Sequence, residues 1–158
     1  MPPKFAFACL LLATAAFAQP KYSGPMPPKP DMPYIIHADN LVPTEALEAR
    51  EQKGKKDQIT YIIPGATSSA RTPLASPIFL MQSQDLAADK LQAYKLEVKN
   101  GQREISFTKK KQPNAIIVNA TPAGSAGLYK IEVDQTLQPG EYVLTPEGSN
   151  KVFCFAVF

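Results

Sequence analysis

The chain has 158 residues, with 17 lysines and arginines against 14 aspartates and glutamates, one histidine, two cysteines and no tryptophan. A formal charge of +3 sets up no strong field of either sign, which argues against nucleic-acid binding, and the length makes one domain with one core. A lone histidine beside two cysteines falls short of the usual three- or four-ligand zinc centre, and no acidic calcium loop is present, so neither metal nor cofactor is expected.

Lys4 precedes an apolar stretch from Phe5 to Ala13 that continues past Thr14 to Ala18. This pattern reads as a signal peptide over residues 1–18, and Ala16-Phe17-Ala18 fits cleavage after Ala18. The stretch is short of the roughly 20 apolar residues of a membrane span. A secreted or periplasmic protein beginning at Gln19, with no integral membrane span after cleavage, is therefore expected. Cys9 is removed with the leader, leaving Cys154 without an intrachain disulfide partner.

Residues 19–33 form a proline-rich linker, with six prolines from Pro20 to Pro33 that favour an extended arm. The single domain is expected over 34–158. Tyr34-Ile35-Ile36-His37 has the composition of a short strand. Residues 44–53 are ambiguous. Glu45-Ala46-Leu47-Glu48-Ala49-Arg50-Glu51 is rich in helix formers, yet Leu47 is its only large apolar side chain, and Lys53-Gly54-Lys55-Lys56-Asp57 could instead turn a strand back onto residues 58–63. After that strand, Pro64-Gly65 opens a loop rich in small residues and prolines that ends at Pro77, before an apolar strand at Ile78-Phe79-Leu80-Met81. Asp85 to Lys90 fits one helical turn capped by Asp85. The runs 94–99 and 103–108 alternate apolar and polar residues around Asn100-Gly101, the mark of a hairpin with one wet face. Further strands are expected at 115–120, 128–133, 141–145 and 152–158. The fold class is thus mainly β, an antiparallel β-sandwich, immunoglobulin-like or related.

Leu137-Gln138-Pro139-Gly140-Glu141-Tyr142-Val143-Leu144, followed by the aromatic run Val152 to Phe158, resembles uncharacterised exported bacterial proteins with an L-x-P-G-E-Y strand near the C-terminus. The run is similar to one that leads into a strand of immunoglobulin-like and prealbumin-like modules. The resemblance covers about the last 25 residues, and implies a β-sandwich whose tyrosine packs across the corner into its strand. It implies adhesion, ligand binding or spacing, with no active site to transfer.

Chemistry-bearing residues are sparse. His37 and Asp39 fall on one side of a strand but make only two ligands. No G-x-S-x-G elbow is present, and Cys154 sits in an apolar strand where a thiol is inert, so no catalytic residue is assigned and the protein is read as a non-enzyme. The lysine clusters at 53–56 and 109–111 flank turns and read as solvated hairpin ends. The ligand-binding candidates are Arg71 with Ser68, Ser69 and Thr72, a planar donor fork among hydroxyls suited to a carbohydrate or acidic ligand. The functional expectation is an exported, non-catalytic binding or structural module whose partner could be another envelope protein. Two alternatives stand beside it: an exported enzyme or enzyme accessory with a site in the 64–77 loop, and a small outer-membrane β-barrel.

Overall fold

The computed structural model describes residues 21–158, so the leader, its cleavage site and Cys9 lie outside the described residues. Among those residues, regular structure is almost all strand. Alternation and turn chemistry set the elements: β1 (Tyr34–His37), β2 (Asn40–Pro43), β3 (Glu45–Glu48), β4 (Arg50–Lys53), β5 (Ile59–Pro64), β6 (Arg71–Thr72) and β7 (Ile78–Gln82) fill the first half. The second half holds β8 (Leu91–Lys99), β9 (Gln102–Phe107), β10 (Val118–Pro122), β11 (Leu128–Val133), β12 (Gly140–Pro146) and β13 (Lys151–Val157). Two single 3-10 turns, Lys55–Asp57 and Ala88–Lys90, interrupt them.

The strands form two sheets. The first has five strands in the order β10-β11-β7-β1-β2, all antiparallel. The second runs β3-β13-β12-β8-β9-β5-β4, with the two-residue β6 parallel to the end of β13. Its terminal strands β3 and β4 are successive stretches of chain separated only by Ala49. Such a sheet cannot lie flat; it curls into a half-barrel. The simple sandwich expected from the sequence is corrected to that extent, because one partner sheet bends back to enclose a second interior.

Strand periodicity explains both interiors. On β12, Tyr142 and Leu144 join the core between the sheets, whereas Val143 joins the core inside the half-barrel. On β13, Phe153, Phe155 and Val157 face the first sheet, while Val152 and Cys154 face inward. These strands are apolar on both faces because each face is covered. Phe155 sits between Phe79 and Tyr142, with ring centroids at 5.0 and 5.6 Å. The Tyr142 hydroxyl donates to the Gln138 carbonyl at 2.6 Å, tying the corner ahead of β12 to its strand.

The ambiguity at residues 44–53 resolves as strand. β3 pairs with β13 and β4 with β5, and the turn 53–58 folds the chain back. The hairpin at Asn100-Gly101 forms as expected, with φ of 51° and 74° at those two residues. The helical turn expected from Asp85 begins later, at Ala88, and Asp85 does not cap it.

Asp31 fills a capping role from a distance: its carboxylate accepts from the backbone N–H groups of Gln84, Asp85 and Leu86, fastening the proline-rich arm to the domain. Burial pushes the Asp31 pKa up, but these N–H groups and Lys151 outweigh it, so the net shift is downward. A depressed folded-state value means that this contribution is complete above the ordinary carboxylate range and is lost as pH falls through the folded value. Asp31→Asn is therefore expected to lower the melting temperature at neutral pH, and the gap between variant and native protein should narrow with acidification. Thermal melts across pH 2–7 check this.

Candidate functional site

The inside of the half-barrel is stratified. Its floor is charged. Arg103 on β9 falls on the same strand face as Ile105 and Phe107, and alternation carries its guanidinium inward, where it is fully buried. Nη1 donates to Glu45 and to the Ser68 hydroxyl, both at 2.6 Å, and lies 3.7 Å from Glu141. Nε and Nη2 donate to the carbonyls of Gly65 and Pro64 at 2.9 and 2.7 Å. Gly65, with φ of +83°, makes the bend from which these two successive carbonyls reach one guanidinium. Ser68 completes the cluster by donating to Glu141 from its backbone N–H at 3.0 Å and its hydroxyl at 2.5 Å.

Above the floor lies an apolar tier that includes Ile63, Leu96, Ile105, Val143 and Cys154. Burial raises the Cys154 thiol pKa, with Glu45 and Glu141 adding to the rise and Arg103 opposing it, to about 12. At neutral pH the thiolate is absent, and the group is inert. Native protein is expected to resist iodoacetamide, with labelling appearing only in denaturant; mass spectrometry of the two samples checks it.

The next tier is aromatic and open. Phe107 meets Tyr61 and Tyr94 edge to face, with centroids at 5.8 and 5.7 Å and planes at 84° and 80°. These rings span the place where β8 and β9 diverge. The two strands pair only at Glu97–Lys99 against Gln102–Glu104, after which β8 bridges to Ile116 instead. The result is a cavity of about 410 Å3 walled by the three rings and by Ile63, Ile105, Val143 and Val152. Apart from the tyrosine hydroxyls, its polar lining residues are the exposed Glu51, Ser149 and Asn150 and the half-buried Gln92 and Thr145, which mark its mouth. Burial raises the Tyr61 and Tyr94 pKa values, and the charges of Glu51 and Glu147 respectively push them further.

The candidates read from the sequence do not converge on one surface. Ser68 turns inward to the Arg103 floor. Thr72 is buried in β6, its hydroxyl accepting from the Leu74 N–H at 3.1 Å. Arg71 is exposed and lies over the Phe158 ring at 4.7 Å, and Ser69 is exposed in the loop between Ser68 and Arg71. The start of the 64–77 loop, at Pro64, Gly65 and Ser68, thus closes over the Arg103 floor, while Ala70 packs into the core between the sheets. His37 is exposed, with Ala38 and Asp39, at the β1–β2 turn and does not line the cavity.

Sequence reasoning passed over Arg103, Glu45, Tyr61, Tyr94 and Phe107. One signal was available: Arg103 is in phase with Ile105 and Phe107, and an arginine on the apolar face of an alternating strand needs a buried counter-charge. Tyr94 and Phe107 lie on the two arms of one hairpin, but Tyr61 reaches them only through the long-range pairing of β5 with β9, which no local pattern reports.

Compared with known proteins, the chain matches no family model, no curated protein and no solved structure.

Proposed function

We propose that the protein is an exported, non-catalytic binding module that holds a small, mainly apolar molecule in the half-barrel cavity. The observation that carries this is the composition of the cavity: an apolar and aromatic wall with a few polar groups confined to the mouth, in a volume of about 410 Å3. Ligand pockets have this size and this division between apolar body and sparse polar handles. The face-to-face sheets and the Tyr142 corner support a finer likeness to immunoglobulin-like or prealbumin-like sandwich modules, with the half-barrel as an elaboration.

The test is a fluorescence titration with the neutral naphthalene dye 6-propionyl-2-(dimethylamino)naphthalene. Saturable binding with a blue-shifted emission is expected. Thr145→Trp, which places an indole across the mouth, is expected to weaken it at least tenfold while the fold, followed by far-UV circular dichroism, persists. Absence of saturable binding, or equal binding by the variant, would overturn the reading.

A further inference from the structure

Resting on that reading, the cavity's chemistry can be taken one step further. We infer that the ligand is an organic cation, an alkylated ammonium whose charged end sits in the corner formed by Tyr61, Tyr94 and Phe107 and is balanced by Glu51.

Three observations support this. First, Phe107 stands at 84° to Tyr61 and 80° to Tyr94, so the three rings meet at a corner and not in a flat stack. Aromatic faces carry negative potential and attract cations, most effectively where water is displaced, and several rings around one site are the arrangement that holds quaternary ammonium groups. Second, Glu51 is the only charged side chain among the residues lining the cavity. It is the cross-strand partner of Tyr61, which places its carboxylate beside the ring corner and not across the mouth from it. Third, none of the cations attached to the cavity walls points a neutralising charge into the lining. Lys109 is engaged with Asp57 at 2.6 Å, and both are largely exposed. Lys53 at the end of β4, and Lys55 and Lys56 on the turn beyond it, are exposed.

Size narrows the class. A water occupies about 30 Å3 of liquid, so a cavity of about 410 Å3 has the volume of roughly a dozen waters, and because bonded ring and chain atoms pack more closely than separate waters it admits somewhat larger molecules. That fits a trimethylammonium group with one ring or a short chain and excludes a two-chain lipid. The exposed lysines outside the mouth make the opposite charge preference the direct competitor, and the experiment is built to separate the two.

Three probes of equal heavy-atom count and nearly equal shape serve: benzyltrimethylammonium, its neutral carbon isostere neopentylbenzene, and the anion phenylmethanesulfonate. Binding of each to the full protein is measured by ligand-observed NMR at low ionic strength. The cation is expected to bind on the order of tenfold more tightly than the neutral isostere, and the anion most weakly. Glu51→Gln is expected to remove most of the cation's advantage over the neutral probe; Phe107→Leu, which keeps an apolar wall but removes a ring, is expected to weaken the cation more than the neutral probe. Equal binding of cation and neutral isostere would overturn the cation assignment and leave the cavity reading standing. Tightest binding by the anion would overturn it in favour of the lysines at the rim. Failure of all three, together with failure of the neutral dye, would overturn the cavity reading itself.

Discussion

Arg103→Met is expected to destabilise the protein by about 3–5 kcal/mol. The guanidinium is fully buried and serves two carboxylates, one hydroxyl and two carbonyls. Removing it leaves Glu141, only 8% exposed, as an uncompensated buried charge, and leaves the carbonyls of Pro64 and Gly65 without that donor. A domain of this size has about 5–15 kcal/mol of stability in total, so the loss is a large fraction of it. Because a buried ion cluster often gives little net stability over an apolar replacement, the triple variant Arg103→Met, Glu45→Leu, Glu141→Leu is expected to recover much of what the single variant loses. Urea unfolding followed by circular dichroism measures both. A single variant within about 1 kcal/mol of the native protein would show that the floor is not closed as described.

The second large effect separates the two interiors. Phe155→Ala, in the core between the sheets, is expected to cost about 3–5 kcal/mol, because the ring is fully buried between Phe79 and Tyr142 and its removal opens a void that close-packed neighbours cannot fill. Phe107→Ala, which removes the same side chain from a half-buried place on an existing cavity wall, is expected to cost about 1 kcal/mol, in line with partial burial. Equal losses would contradict the division into one packed core and one open one. Denaturant melts of the two variants, run alongside the native protein, provide the comparison.

Much of the strand content was legible. The Asn100-Gly101 hairpin and β11 announce themselves through period-two alternation, and β5 and β7 through short apolar runs bounded by proline and glycine, all local properties of the chain. Residues 44–53 were not, and the reason is physical. Their inward side chains include Glu45 and Glu51, one drawn to Arg103 and the other placed at a cavity mouth, so the usual apolar alternation of a strand is absent. Tertiary pairing with β13 and β5 overrides a local preference for helix. The curl of the larger sheet was likewise hidden, because it follows from β3 and β4 pairing with opposite ends of one sheet. The Arg71 loop drew attention for its hydroxyls and length. In the fold, Ser68 spends its hydrogen bonds on the floor, and Arg71 lies against Phe158.

The most direct test of the account is where a bound molecule touches the protein. In a two-dimensional NMR titration of isotopically labelled protein with benzyltrimethylammonium and with the neutral naphthalene dye, shift changes are expected at Ile59, Tyr61, Tyr94, Phe107 and Val152. Ile131 and Phe79 in the other core should stay unmoved. Changes centred instead on Arg71, Leu74 and Phe158, or scattered over the surface with no common site, would contradict the half-barrel cavity as the binding site.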